Sequence, residues 1–413
     1  MENAENKPFF WKFLRSFLKL TILCGLILLF FWINGKKIIE DKIYQYLSKQ
    51  QAQTEEAWLP LPGDPKEMIY EWKYNGQSYA IKEILYGSFY DFYASLPETY
   101  SYYDEELPQN WEEEYFNMFL RHPAEDKTIS ELAAKIKELG IKNKLSDDRI
   151  VELTLSFVQN IPYDEAKAKR ILSESRIDQS KNTGDTPDYP YETLYKKTGV
   201  CSDKSLLAYS LIREMGYGVA IFVYEAENHM SIGIKCPQNY SAYDSGYCYV
   251  ETTSPGNKIG IIPELDITNN NASSAKEIEY FNDNENAPSN SKTIGAAKII
   301  NTSDGKAYGG IIQTIATQQN IAELKTFLNK EKVALSSIKI SLKENQDAVA
   351  DLKDEMDKLL SKENYSEYNN LVPKYNGQIK DYQKDLKVYN KRIEIYNQKV
   401  NEYNKLIKSF YQI

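Results

Sequence analysis

Towards the C-terminal end, apolar residues recur in uninterrupted steps of 4 and 3, at 379, 382, 386, 389, 393, 396, 400, 403, 407 and 410. One heptad position holds Tyr375, Tyr382, Tyr389, Tyr396, Tyr403 and Phe410; the other holds Ile379, Leu386, Ile393, Val400 and Ile407. A seven-residue repeat keeps one apolar seam along a helix, so the segment must fold as a coiled coil against another helix. Upstream, Ile321, Leu324, Leu328, Leu335, Ile338, Leu342, Val349, Leu352, Met356 and Leu359 keep the same spacing, with Glu331 and Asn345 as polar exceptions. Residues 361–374 lie between the runs, and Pro373 disfavours a straight helix there. The runs are nearly equal in length, which favours an antiparallel helical hairpin over residues 311–413. A parallel oligomeric coil is the alternative, and the coil is a candidate surface for self-association or a partner protein. Arms of about 40 residues reach roughly 60 Å at a rise of about 1.5 Å per residue.

The whole chain, 413 residues, is long enough for a sizeable core and two or three structural units. A net charge of −9 argues against a nucleic-acid partner, which needs a basic face. Leu20 to Ile33 carries no charge, and Phe13, Leu14, Phe17 and Leu18 extend it. Arg15 and Lys19 can snorkel to headgroups, and Trp11 and Trp32 sit where interfacial aromatics belong. Asn34-Gly35-Lys36-Lys37 follows, with no small-residue cleavage site. The expected organisation is a short tail at 1–16, an uncleaved transmembrane anchor at 17–35, and a juxtamembrane helix and linker at 36–65. Lys7, Lys12, Arg15 and Lys19 before the run balance Lys36, Lys37, Lys42 and Lys49 after it. The shortness of the N-terminal tail tips the orientation towards a single-pass protein with its bulk extracytoplasmic.

Between anchor and coil the pattern is α+β. Met68 to Leu85 alternates around Asn75-Gly76, a hairpin signal. Thr128 to Gly140 reads as a helix with Thr128 or Ser130 near its N-cap, and Ser146-Asp147-Asp148 caps another that Pro162 stops. Residues 164–190 are polar and read as loop; a helix from Ser202 to Met215 and strands at 218–224, 229–235 and 247–253 follow. One domain is therefore expected over 66–262, with a flexible linker at 263–310.

Cys201 opens the 202–215 helix, and His229 is one of two histidines in the chain, the other being His122. The positive end of a helix dipole favours a thiolate. The stripe Leu207, Leu211 and Met215 would anchor the helix in a core and so fix the thiol. If the strands at 229–235 and 247–253 are antiparallel neighbours, the start of the first meets the end of the second, bringing His229 to Glu251. Thiol, imidazole and carboxylate are what an activated nucleophile with an oriented base requires. Taken singly, each residue has an ordinary structural explanation: a buried Cys, a strand His, a solvent-facing Glu. Four cysteines, with Cys24 in the apolar run, are too few for a disulfide scaffold and are not spaced as a zinc site, and no metal or organic cofactor is called for. Cys236 and Cys248 flank the 229–252 hairpin and have two readings, bridged or free, bridging requiring a domain outside the cell.

Residues 146–262 resemble the transglutaminase-like superfamily of papain-like thiol enzymes, most closely a prokaryotic membrane-associated branch. The resemblance rests on Phe157-Val158-Gln159-Asn160-Ile161-Pro162-Tyr163-Asp164, Pro190-Tyr191-Glu192-Thr193-Leu194, the Gly-x-Cys-x-Asp segment at 199–203, His229 on a strand, and Tyr249-Val250-Glu251-Thr252-Thr253. It implies a papain-like core in which a helix carrying Cys packs on an antiparallel sheet, with Cys201 as nucleophile, His229 as general base then acid, and Glu251 as orienter. Many members place Asp at that last position. Asp244 is the backup orienter, Gln159 the candidate side-chain oxyanion donor by analogy, and Asp203 a helix cap or brace. The implied activity is that of a membrane-anchored cysteine protease or amidase, a hydrolase acting on peptide or glutamine amide bonds of a protein or peptide substrate, with amine transfer as a variant outcome. The alternative is a catalytically inactive, membrane-tethered binding or scaffold protein working through its coil.

Overall fold

The computed structural model describes residues 59–100, 107–174, 186–262, 264–266, 291–293 and 295–411. The expected anchor at 17–35 and most of the juxtamembrane segment lie outside the described residues. Among the described residues no helix is long and apolar enough to cross a membrane.

Strands β1 (Pro65–Tyr74) and β2 (Gln77–Tyr86) form the expected hairpin, paired from Pro65↔Tyr86 to Tyr74↔Gln77. Asn75 at φ 53° and Gly76 at φ 74° give the two left-handed positions that a two-residue turn needs. Period-2 burial follows: Met68, Tyr70, Trp72 and Tyr74 are buried while Ile69 and Glu71 face solvent. Helices α1 (Gly87–Ala94), α2 (Trp111–Leu120), α3 (Thr128–Lys142), α4 (Asp147–Gln159), α5 (Glu165–Glu174), α6 (Pro190–Lys196) and α7 (Cys201–Glu214) follow. Next come β3 (Val219–Tyr224), β4 (His229–Lys235), β5 (Tyr247–Val250), the short pair β6 (Glu264–Asp266) and β7 (Ser291–Thr293), and β8 (Lys298–Ile300).

The main sheet is antiparallel in the order β5-β4-β3-β8. Helix α7 packs on β3 and β4, with α3, α4 and α6 around it, so Leu206, Leu207, Ala208, Leu211 and Ile212 are fully buried. The thiol-bearing helix is thus the axis of the core.

Four details depart from the sequence reading. Helix α3 continues past Gly140, which marks a close approach and not a helix end: a Cβ there would lie 2.5 Å from Ile150 Cγ1. Asp126, not Thr128 or Ser130, accepts the first amide of α3. The segment expected as loop at 164–190 contains α5, and Asp164 Oδ1 accepts the Lys167 amide in its first turn. The expected linker at 263–310 is partly domain: β8 pairs with β3 from Ile221↔Ile300 to Val223↔Lys298.

Helices α8 (Ile311–Ser361) and α9 (Tyr365–Tyr411) form an antiparallel hairpin. Pro373 lies inside α9 rather than at the turn. The reversal is made earlier, by Glu363 at φ 55°, and Asn364 accepts the Glu367 amide to restart the helix. Glu331, a polar exception in the repeat, meets Arg392 across the hairpin at 2.6 and 2.9 Å. At the base, Ile321, Leu324 and Leu328 interlock with Tyr403, Ile407 and Phe410, and Ile261 of the domain packs against them.

Candidate active site

Cys201 is the first residue of α7, free and partly exposed. Asp203 sets that helix end. Its Oδ2 accepts the Val200 amide at 2.9 Å, and its carboxylate takes the Asp188 amide and the Lys167 ammonium. Burial, its largest influence, favours the protonated acid and outweighs Lys167, raising its pKa to about 6. This is the brace read from the sequence.

The strand register explains how His229 meets Glu251. The β4–β5 ladder ends at Ile232↔Val250. Continued by one pair, Glu251 falls opposite Ser231, a diagonal step from His229 on the same face, within reach of a long side chain. His229 Nε2 and Glu251 Oε2 stand 3.1 Å apart, both buried. The longer acid spans the diagonal.

Five donors hold Glu251. Oε2 takes His229 and the Tyr249 hydroxyl at 2.5 Å, while Oε1 takes the amides of Thr252 and Thr253 at 2.9 Å each and Thr253 Oγ1 at 2.7 Å. Burial alone would favour the protonated acid, but the His229 charge and these hydrogen bonds bring Glu251 down to about 2. Burial is also the strongest influence on His229 and favours the neutral ring. The Glu251 charge, its hydrogen bond to the ring and the neighbouring Cys201 outweigh it and push the ring up to about 10. With Nε2 on Glu251, Nδ1 is the ring nitrogen left for the thiol. Tyr163 bridges Gly199 just before the thiol, and its hydroxyl is held protonated first by burial, then by the charges of Cys201, Glu165, Asp203 and Glu251.

Two expectations need correction. Gln159 donates both amide hydrogens to main-chain carbonyls, Glu251 O at 2.8 Å and Asn257 O at 3.1 Å, so it braces the carboxylate segment and leaves no side-chain donor for an oxyanion. Asp244 is exposed in the β4–β5 connection, with Gln238 on its main-chain carbonyl, and the carboxylate beside the imidazole is that of Glu251. Tyr249 and Thr253 were missed, yet alternation places Tyr249, Glu251 and Thr253 on one side of an extended chain. Cys236 and Cys248 are joined in a disulfide at the other end of the β4–β5 ribbon. Among the described residues no cluster of His, Cys, Asp and Glu has the makings of a metal site.

A thiol at the start of a core helix, beside a buried imidazole–carboxylate pair on an antiparallel sheet, is compatible with the core of a thiol-enzyme class. Within it, residues 127–253 match the family model of a transglutaminase-like domain, which places that segment in the transglutaminase-like superfamily. The match runs from the start of α3 to Thr253, the last donor to Glu251. The comparisons with curated proteins and with solved structures find no match.

Proposed function

We propose that the chain is a thiol enzyme of the transglutaminase-like class, held at a membrane by residues 17–35, that cleaves or transfers peptide or glutamine amide bonds. The observation that carries this reading is the buried His229 ring, held by Glu251 at 3.1 Å on one side and electrostatically linked to Cys201 on the other. An imidazolium at neutral pH stabilises a neighbouring thiolate. Cys201 Sγ attacks the carbonyl carbon, and the Cys201 amide stabilises the oxyanion. His229 gives its proton to the leaving nitrogen as the C–N bond breaks, leaving a thioester. Neutral His229 then takes a proton from water, or from an acceptor amine, as that nucleophile attacks the thioester and releases the thiolate. Hydrolysis is the favoured outcome.

The disulfide supports an extracytoplasmic position for the domain, since such bonds persist in oxidising compartments. The hairpin would serve as an arm presenting the domain to a protein partner or a second copy.

The test is alkylation by iodoacetamide at pH 6, read by mass spectrometry at Cys201. The expected result is reaction at least 10-fold faster than that of a free thiol such as glutathione. Cell-surface proteins incubated with wild type should also show cleavage or amine incorporation that the Cys201→Ala variant lacks. An unactivated Cys201 would end the enzyme reading.

A further inference from the structure

Lys204 lies three residues after Cys201 on α7, and its side chain is fully buried. Its ammonium donates to three main-chain carbonyls: Gln159 O at 3.1 Å, Ile161 O at 2.7 Å and Thr253 O at 2.7 Å. The first two close the C-terminal end of α4, where a helix dipole favours a cation. The third belongs to the residue whose amide and hydroxyl hold Glu251 Oε1. One buried cation therefore joins the thiol helix, the end of α4 and the segment that fixes the carboxylate.

We propose that Lys204 is a positioning residue that sets the Cys201–His229–Glu251 geometry by clamping Thr253. This inference rests on the reading of Cys201 as the nucleophile. The chain of contact is continuous. Lys204 holds Thr253, Thr253 holds Glu251, Glu251 holds His229, and His229 faces the thiol. Gln159 adds a parallel strut from the same helix end to Glu251 O. The clamp has no slack, because an ammonium has three donors and all three are used. Leaving an ammonium buried is expensive, so a purely structural role would be met as well by an apolar side chain. Burial, the stronger influence, lowers Lys204 to about 7, and the facing Glu251 charge opposes it. The clamp is thus charged under mildly acidic conditions.

The experiment follows Cys201 alkylation by iodoacetamide from pH 5 to 9 in the full-length protein, with folding checked by circular dichroism and melting. Lys204→Met keeps the stem and removes the cation. The expected result is a folded variant whose alkylation at pH 6 falls at least 10-fold, as Glu251 swings off His229 and the imidazolium is lost. At pH 9 it should stay within about twofold of wild type, because ordinary thiols ionise there unaided. A generally loosened fold would expose Cys201 and raise the rate at both pH values. Lys204→Gln, with two N–H donors and no charge, is the second variant if the first fails to fold, and the same pH-selective loss is expected. A folded variant with the wild-type profile overturns the clamp while leaving the enzyme reading intact. A wild type without pH 6 reactivity removes the enzyme reading itself.

Discussion

At the residue scale, the acid beside His229 decides the protonation of the site. Burial pulls His229 and Glu251 towards their neutral forms, and their mutual attraction, with four further hydrogen bonds on the carboxylate, reverses both. The pH dependence follows. The folded-state pKa of His229 is raised from 6.5 to about 10, so its contribution to stability is complete below pH 6.5 and fades as pH rises towards 10. Glu251, lowered from 4.5 to about 2, contributes above pH 4.5 and loses that contribution as pH falls towards 2. Lys204 and Lys258, lowered by burial to about 7 and about 8, run the other way, becoming less destabilising as pH rises. The clean observable is therefore a difference. Glu251→Gln should lie about 3 kcal/mol below wild type in denaturant titrations at pH 6, the cost of breaking a buried pair. The gap should narrow steadily up to pH 10, and a gap that stays constant over that range would contradict the His229 assignment. The place of Cys201 at a helix start and the meeting of His229 with Glu251 were legible in the sequence because helix start, strand start and strand end are local signals. Gln159 was misread because the choice between facing the thiol and bracing Glu251 O depends on a contact 92 residues away.

Elements were legible wherever one local rule fixed them. Asn75-Gly76 dictated the turn of β1–β2, and Ser146 accepts the Arg149 amide where a helix start was expected. Expectations failed where a tertiary contact decided. β8 exists because β3 has an edge to cover, which a three-residue strand cannot announce. Gly140 likewise read as a helix end but permits α3 to approach α4. This gives a contest of known sizes. Gly140→Ala gains about 1 kcal/mol of helix propensity, whereas the new methyl would meet Ile150 Cγ1 at 2.5 Å. Forcing an extra methyl into a closed core costs about 1–3 kcal/mol, so the clash should win. The variant is expected to melt a few degrees below wild type, measured by circular dichroism, and a raised melting temperature would show that α3 and α4 can separate without cost.

At the scale of the whole molecule, the hairpin is joined to the domain at its base. The Tyr308 hydroxyl reaches Glu152 on α4, and Lys258 sits over the Phe410 ring, a few residues past the segment that holds Glu251. Farther out, two helices alone leave their seam only half covered: Tyr375, Tyr382, Tyr389 and Tyr396 are partly buried, whereas Tyr403 near the base is buried. Direction and register along that stretch therefore depend on specific pairs as well as on apolar burial. Glu331 and Arg392 are such a pair, 61 residues apart in sequence and bidentate across the hairpin. They meet only if the chain folds back on itself; in a parallel coil of separate copies, positions 331 and 392 would lie far apart along the axis. Arg392→Glu sets two carboxylates against each other. A half-buried pair at the surface of the hairpin contributes about 1 kcal/mol, so the helical melt should fall by a few degrees without unfolding the domain. The double variant Glu331→Arg/Arg392→Glu restores opposite charges with the order reversed, and should recover most of that loss while sedimenting as a single chain in detergent. A parallel oligomer would instead give two independent surface changes with additive effects and no recovery, because the swapped charges would never face each other.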